Sequence, residues 1–122
     1  MTSIILIDDQ PITNFITKKL LQLEGIEENV KDFTNPVEAL QSLENESEAL
    51  LFLDLNMPEM TGWEFLDKMK ENNLRFDTII LTSSTSELDR QKAEDYDCVK
   101  EYVTKPLNKA KLSKLSVFIK DY

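Results

Sequence analysis

The chain has 122 residues, a formal net charge of −9 at pH 7 and an isoelectric point near 4.5. This length fits one domain with a single substantial core, and we expect one domain over residues 1–122. The negative charge argues against direct binding to nucleic acid or to an anionic membrane, because both are polyanions. No apolar run approaches the roughly 20 residues that span a bilayer.

Two residue types limit the chemistry further. Histidine is absent, which argues against serine and cysteine triads, zinc-hydrolase motifs and imidazole acid–base catalysis. The single cysteine, Cys98, cannot form an intramolecular disulfide, and the N-terminus lacks the basic-then-apolar profile of a secretory signal. We therefore expect a cytoplasmic protein whose chemistry uses carboxylates, hydroxyls, lysine or a metal.

The chain begins with a short apolar strand followed by an amphipathic helix. Ser3 to Ile7 is apolar after its first residue and rich in β-branched side chains, which is typical of a buried strand. Pro11 opens the helix, and Gly25 is placed to end it. Apolar residues recur at helical spacing and are predicted to face the core: Ile12, Phe15, Ile16, Leu20 and Leu23.

A strand, a helix and a second apolar strand follow. Val30 to Phe33 is a weak strand whose charged neighbours indicate a sheet edge. Asn35 and Pro36 have the pattern of a helix cap and a first helical position. The predicted buried stripe of this helix is Val37, Leu40 and Leu43. Leu50 to Leu53 is the most apolar strand, and we place it at the centre of the sheet.

The next three elements continue the alternation. A third helix begins near Gly62 and is predicted to bury Phe65, Leu66 and Met69. Thr78 to Leu81 forms the fourth strand. Ser84 and Glu87 have capping-box spacing for a fourth helix. The apolar content of this helix is thin, so it is either loosely held or covered by a partner; its apolar residues are Leu88, Ala93 and Tyr96.

The chain closes with a last strand and a last helix. Val99 to Thr104 alternates in a way that suits a strand with one wetter face. Asn108 caps a helix with predicted inward residues Leu112, Leu115, Phe118 and Ile119. Five strand–helix units with right-handed crossovers predict an α/β fold with a five-stranded parallel sheet and helices on both faces.

Acidic residues follow two of the strands at the point where each ends. Asp8 and Asp9 come directly after the first strand, and Asp54 follows Leu50 to Leu53. Open α/β sheets bind ligands at the carboxyl ends of their strands, so these carboxylates are expected to meet at one edge. Turn or cap roles are the alternative, because aspartate is common in both, but they account for one of the three at most.

Three neighbouring acids repel one another unless a cation or protons intervene. Magnesium prefers oxygen ligands and keeps several waters, so one or two carboxylates and a backbone carbonyl are typical of its sites. Asp9, Asp54 and the backbone carbonyl of Asn56 could supply that set, with Asp8 acting through a metal-bound water. The sequence therefore predicts a Mg²⁺ site.

Two further polar residues follow the remaining strands. Thr82 comes after Ile79 to Leu81, and Lys105 after Tyr102 to Thr104. A hydroxyl and an ammonium beside a magnesium ion would receive a group with three anionic oxygens, for which phosphoryl is the obvious candidate. The alternative for Lys105 is a solvated charge, the fate of most lysines.

In this order, the motifs resemble those of a receiver domain of the two-component response-regulator family, in its single-domain, chemotaxis-regulator-like form. They are Asp8-Asp9, Asp54-Leu55-Asn56-Met57-Pro58 with Gly62 further on, Leu81-Thr82-Ser83, and Tyr102-Val103-Thr104-Lys105-Pro106. The resemblance covers essentially the whole chain. It implies the flavodoxin-like, doubly wound strand order 2-1-3-4-5.

The resemblance also implies a role for each matching residue. Asp54 would be the phosphoacceptor, and Asp8 and Asp9 would be the acidic metal pair. The other implied roles are the phosphoryl-binding hydroxyl of Thr82, the counter-charge of Lys105 and the rotamer switch of Tyr102. Magnesium would be the cofactor, and Mn²⁺ could take its place.

Partners follow from the same resemblance. Receivers take their phosphoryl group from phosphohistidine, and this chain has no histidine, so the donor would be a separate histidine kinase or histidine phosphotransfer protein. Phosphorylation would switch the face formed by the fourth helix, last strand and last helix, and so control an unknown downstream protein. No turnover of an external substrate is expected.

Three other functions share part of this pattern. A flavodoxin needs a hydroxyl- and glycine-rich phosphate loop, and Asp8-Asp9-Gln10 would repel that phosphate. A haloacid-dehalogenase-type phosphatase needs a second aspartate two residues after the nucleophile, where this chain has Asn56. The more serious rival is a receiver-like scaffold that binds partners without phosphorylation, although a scaffold has no physical need for converging polar groups.

Overall fold

The computed structural model describes residues 3–27 and 29–119. The strands are β1 (Ser3–Ile7), β2 (Val30–Phe33), β3 (Ala49–Leu53), β4 (Asp77–Thr82) and β5 (Val99–Thr104). The helices are α1 (Pro11–Leu23), α2 (Pro36–Leu43), α3 (Gly62–Glu71), α4 (Glu87–Ala93), α5 (Lys109–Lys114) and α6 (Ser116–Ile119). Within the described ranges, no helix combines the length and apolar character needed to cross a membrane.

The five strands form one sheet in the order β2-β1-β3-β4-β5, and every neighbouring pair is parallel. This confirms the predicted parallel sheet and its doubly wound order. β3 lies at the centre and β2 at an edge, as their sequences indicate. Because all strands run the same way, their carboxyl ends share one edge of the sheet, and residues just past β1 and β3 become neighbours.

Apolar side chains of the central strands alternate between two core layers. Along β1, Ile5 and Ile7 face one layer, which includes residues of α2 and α3. Ile4 and Leu6 face the other layer, which includes residues of α1, α5 and α6. Burial on both faces explains why the β1 sequence is almost continuously apolar instead of alternating with polar residues.

Helix α1 turns a different face to the sheet from the one predicted. Its buried residues are Asn14, Thr17 and Leu21. Four of the residues predicted to be buried are between 44% and 76% exposed, namely Ile12, Phe15, Ile16 and Leu23, and Leu20 is partly buried. An amphipathic helix buries only one of its faces. The face with polar residues can be the buried one because the Asn14 amide donates hydrogen bonds to two backbone carbonyls there.

The ends of α1 and α2 follow the sequence prediction. Gly25 has φ +81°, and its N–H donates to the carbonyl of Gln22, while the N–H of Ile26 donates to Leu21, which is a Schellman ending. Asn35 caps α2 by accepting from two backbone N–H groups. The predicted stripe of α2 is only partly right, because the buried residues are Pro36, Ala39 and Leu43, while Val37 is exposed and Leu40 partly buried.

Helix α3 begins at Gly62 and buries Phe65, Leu66 and Met69, which confirms its prediction. Helix α4 differs from its prediction at the cap. Ser86, not Ser84, accepts the cap hydrogen bond from the N–H of Asp89. The Ser84 hydroxyl instead donates to the Asp89 carboxylate at 2.7 Å. The cap therefore lies two residues later in the chain than predicted.

The chain after β5 also departs from a single continuous helix. Asn108 caps α5 as predicted, but Leu115 interrupts the helix before the short α6. The inward residues Leu112, Leu115 and Ile119 are buried, and Phe118 is partly buried. The predicted apolar stripe therefore reaches the core although the helix is divided.

Candidate functional site

Three carboxylates meet at the carboxyl edge of the sheet. One oxygen of each of Asp8, Asp9 and Asp54 lies within 4.8 Å of the others. The register places Ile7 beside Leu53, so the next residues of β1 and β3 are adjacent, and the N–H of Asp54 donates to the carbonyl of Ile7. Asp8 and Asp54 are buried, and Asp9 is half-buried. The predicted convergence of the three acids is therefore present.

The loop after β1 is held by hydrogen bonds to its own backbone and to β2. The N–H of Asp8 donates to the carbonyl of Phe33 at 3.1 Å. The carboxylate of Asp8 accepts from the N–H of Gln10 at 2.9 Å, which closes a turn just before α1. These contacts orient the Asp8 side chain toward the centre of the acid cluster.

The loop after β3 closes tightly on Asp54. The carboxylate of Asp54 accepts from the N–H of Asn56 at 3.3 Å, and the N–H of Gly62 donates to Leu55. A Cβ atom on Gly62 would lie 2.6 Å from the carbonyl oxygen of Asp54. Glycine is required there because the start of α3 touches the backbone of the acidic loop.

Lys105 reaches two of the acids from the end of β5. Its Nζ lies 2.7 Å from Asp8 Oδ2 and 3.5 Å from Asp54 Oδ2, and its side chain is 17% exposed. Its backbone N–H donates to the carbonyl of Thr82, which joins the ends of β4 and β5. The Lys105–Pro106 peptide bond is cis. Because its ammonium contacts two carboxylates, Lys105 is not the freely solvated lysine of the alternative interpretation.

The environment of Asp54 disfavours its charged form. Burial raises the pKa of its carboxyl, and the charge of Asp8 raises it further. Lys105 and the N–H of Asn56 lower the pKa, but the net direction is upward. Lys105 pairs with Asp8 and Asp54, so the cluster of three carboxylates keeps excess negative charge, and an all-oxygen donor set of this kind fits a Mg²⁺ ion.

Thr82 and Tyr102 are linked through the backbone of Ser84. Thr82 is fully buried, and its Oγ1 accepts from the N–H of Ser84 at 3.2 Å. The Tyr102 hydroxyl donates to the carbonyl of Ser84 at 3.0 Å. The guanidinium of Arg90 lies 4.7 Å from the centre of the Tyr102 ring. The loop between β4 and α4 therefore connects the site to the surface around α4.

The sequence-based prediction missed Asn14 and Arg90. Asn14 contacts the backbone of the acidic loop, and Arg90 covers Tyr102. The sequence does carry a second set of residues at helical spacing in this helix, Asn14, Thr17 and Leu21. Two of the three are polar, so the pattern did not indicate a buried face. The contact of Arg90 with Tyr102 joins α4 to β5, and no short-range pattern indicates it.

Comparison with known proteins decides the family. The model of the response regulator receiver domain matches residues 4–116. The chain belongs to this family. Receiver domains of two-component response regulators bind Mg²⁺ at an acidic aspartate cluster, interact in general with histidine kinases and downstream targets, and generally do not catalyse reactions of external substrates. The acid cluster of this receiver domain fits the phosphoacceptor site of the family.

Solved structures share the whole fold of this receiver domain. A two-component response regulator from Cytophaga hutchinsonii is 28% identical with a TM-score of 0.85, covering 100% of this chain and 98% of that one. The response regulator TrrA from Thermotoga maritima, solved in complex with Mg²⁺-BeF, is 27% identical with a TM-score of 0.77, covering 99% and 98%.

Curated relatives differ in length. An uncharacterized 14.6 kDa protein of Leptolyngbya boryana is 35% identical over 114 residues, which are 92% of this chain and 85% of the relative. The nitrate/nitrite response regulator NarL of Escherichia coli strain K12 is 33% identical over 87 residues. That match covers 71% of this chain but 40% of NarL, so the receiver domain spans less than half of that relative.

Proposed function

We propose that this receiver domain accepts a phosphoryl group on Asp54 from a phosphohistidine of a separate protein, and that phosphorylation changes the surface around α4, β5 and α5. The observation that carries the proposal is the position of Lys105, whose ammonium contacts both Asp8 and Asp54 within the acid cluster. The donor in this proposal is a histidine kinase or a histidine phosphotransfer protein, and its phosphohistidine lies outside these 122 residues, none of which is histidine.

In the transfer step, a carboxylate oxygen of Asp54 attacks the phosphorus, and a new P–O bond forms as the P–N bond of the donor breaks. The donor imidazole leaves with the electron pair of that bond and takes up a proton from water. Lys105 neutralises charge on the phosphoryl oxygens, and the Thr82 hydroxyl donates a hydrogen bond to one of them. The product on Asp54 is an acyl phosphate, a mixed anhydride that water hydrolyses.

Asp8, Asp9, Asp54 and the backbone carbonyl of Asn56 would hold the Mg²⁺ ion. When bound, the ion supplies positive charge to the transferring oxygens. Mn²⁺ accepts the same oxygen ligands and is expected to substitute for it. The protein is expected to catalyse its own phosphorylation and dephosphorylation without acting on an external substrate, and its cytoplasmic location remains a prediction from the sequence.

The hydrogen bonds of Ser84 suggest how the site communicates with the surface. Thr82 accepts from the N–H of Ser84, and Tyr102 donates to the carbonyl of the same residue. When Thr82 is drawn toward a phosphoryl group on Asp54, Ser84 loses that acceptor, and the anchor of Tyr102 shifts with it. This is a population shift between two packings, with a coupling free energy of typically ~1 to 3 kcal/mol.

The exposed apolar side chains of α1 support a donor that acts in trans. Ile12, Phe15 and Ile16 lie on the helix that begins two residues after Asp9, and all three are exposed. Contiguous exposed apolar surface commonly marks a protein interface. A helical surface of the donor packing there would bring its phosphohistidine toward the acid cluster.

Phosphorylation by a small donor tests the proposal directly. Incubation with phosphoramidate or acetyl phosphate and Mg²⁺ should add one phosphoryl group to the intact mass, and Asp54→Asn should abolish the gain. Asp95→Asn is the matched control, because Asp95 is exposed and lies outside the site. A wild-type protein that folds and binds Mg²⁺ but gains no phosphoryl mass would instead support the phosphorylation-independent scaffold.

A further inference from the structure

We propose that Asn14 is a positioning residue for the metal-binding acids: its side-chain amide holds the peptide between Asp8 and Asp9 and thereby sets the affinity of the site for Mg²⁺. The inference rests on the proposed function, because it takes the acid cluster to be the place where the ion binds. Asn14 itself contributes no charge and is not assigned as a ligand. Its effect passes through the backbone of the acidic loop.

The N–H and the carbonyl of Asp8 are both linked to the carbonyl of Phe33, the N–H directly and the carbonyl through the Asn14 amide. The amide nitrogen of Asn14 carries two hydrogens, and it donates to the carbonyl of Asp8 at 3.2 Å and to that of Phe33 at 3.1 Å. The N–H of Asp8 donates to the same Phe33 carbonyl. Asp8 is thus held on its nitrogen side directly and on its carbonyl side through Asn14.

The held carbonyl belongs to the peptide that leads into Asp9. Because a peptide unit is planar, fixing the Asp8 oxygen also fixes the direction of the N–H and Cα of Asp9. Asp9 is half-buried, and its carboxylate lies in the same cluster as those of Asp8 and Asp54. A metal site with several carboxylates needs their relative positions set before the ion binds, so the Asn14 amide bears on affinity.

Burial makes the arrangement specific to the asparagine amide. Asn14 is 2% exposed, so water cannot readily replace its two hydrogen bonds. Leucine has nearly the same shape and no donor, and its introduction would leave the Asp8 carbonyl to rotate toward another partner. Thr17 lies one turn further along the same buried face of α1, and it offers a polar-to-apolar control in the same helix.

The experiment compares Mg²⁺ binding in Asn14→Leu, Asn14→Ala and the control Thr17→Val. Mg²⁺ is titrated into ¹⁵N-labelled protein, and the dissociation constant is taken from the amide chemical shifts of the loop after β1. Both Asn14 variants should raise the Mg²⁺ dissociation constant by about 10- to 100-fold, the range for residues that orient metal ligands. Thr17→Val should leave it within about twofold of wild type, although each variant lowers the unfolding midpoint.

The outcomes separate this inference from the proposed function. An unchanged Mg²⁺ dissociation constant in a folded Asn14 variant, or an equal weakening in Thr17→Val, would show that Asn14 serves only to stabilise the fold. If Asn14→Leu does not fold, Asn14→Ala carries the same expectation. A wild-type protein that shows no Mg²⁺-dependent shifts would overturn the proposed metal site itself, before any comparison of variants.

Discussion

The ammonium of Lys105 lies closer to Asp8, at 2.7 Å, than to Asp54, at 3.5 Å. The lysine thus sits between the two buried acids instead of forming a dedicated pair with the predicted phosphoacceptor. Its charge only partly offsets burial and the repulsion from Asp8, which is why the pKa of Asp54 remains raised. An arriving phosphoryl group would meet this ammonium beside the attacking carboxylate.

Replacing Lys105 tests its role in the transfer. Lys105→Met should slow phosphorylation by phosphoramidate about 10²-fold, because one preorganised donor to the transferring group is lost. Mg²⁺ affinity should not fall, since the variant removes positive charge from the cation site. The control is Lys109→Met, on the exposed start of α5. A Lys105→Met rate within about twofold of wild type would contradict the assignment.

The raised pKa of Asp54 makes a prediction for stability. Protonation is easier in the folded than in the unfolded state, so the native protein binds more protons between the two pKa values, and stability falls as pH rises through that window. Asp54→Asn should therefore raise the free energy of unfolding at neutral pH, by ~1 kcal/mol on the usual scale of single substitutions.

The stability gain of Asp54→Asn should shrink as the pH falls through the folded-state pKa of Asp54, because the wild-type carboxyl then loses its charge as well. Urea unfolding at several pH values measures the difference between the two proteins, and Asp95→Asn serves as the control. If the gain in free energy of unfolding stays constant down to acidic pH, the charge of Asp54 does not destabilise the folded protein.

The two glycines of the chain should respond differently to alanine. Gly62→Ala places a Cβ 2.6 Å from the Asp54 carbonyl oxygen, so we expect a loss of ~1 to 3 kcal/mol and slower phosphorylation as the loop moves. Gly25→Ala meets no atom within 4 Å, but its φ of +81° costs about 1 to 2 kcal/mol. Its phosphorylation rate should stay at the wild-type value, and equal rates in both variants would argue against close packing at Gly62.

The contact between Arg90 and Tyr102 can be measured by a double-mutant cycle. Arg90→Ala and Tyr102→Leu should show a coupling of about 0.5 to 1 kcal/mol in urea unfolding, as for a cation–π pair at a partly exposed site. Phosphorylation should change this coupling if Tyr102 moves with Ser84. Additivity within ~0.3 kcal/mol, with and without the phosphoryl group, would exclude the contact as part of the switch.

Much of the fold and of the site could be predicted from local patterns. Apolar runs located β1, β3 and β4, and weaker patterns located β2 and β5. Asp8, Asp54 and Lys105 each stand directly after a strand, and Asp9 follows Asp8. The parallel sheet then carries these residues to a common edge, so their convergence follows from chain order and strand direction. Gly62, which approaches Asp54 closely, belongs to the motif that the sequence alone indicated after β3.

The orientation of α1 was decided by tertiary structure alone. Its sequence carries two stripes at helical spacing, an apolar one through Phe15 and a more polar one through Asn14, and hydrophobicity favoured the wrong one. The two carbonyls that accept from the Asn14 amide belong to Asp8, the first residue after β1, and to Phe33, the last residue of β2. Hydrogen-bond partners distant in the chain can make a polar face the stable interior face, and periodicity within one helix carries no information about them.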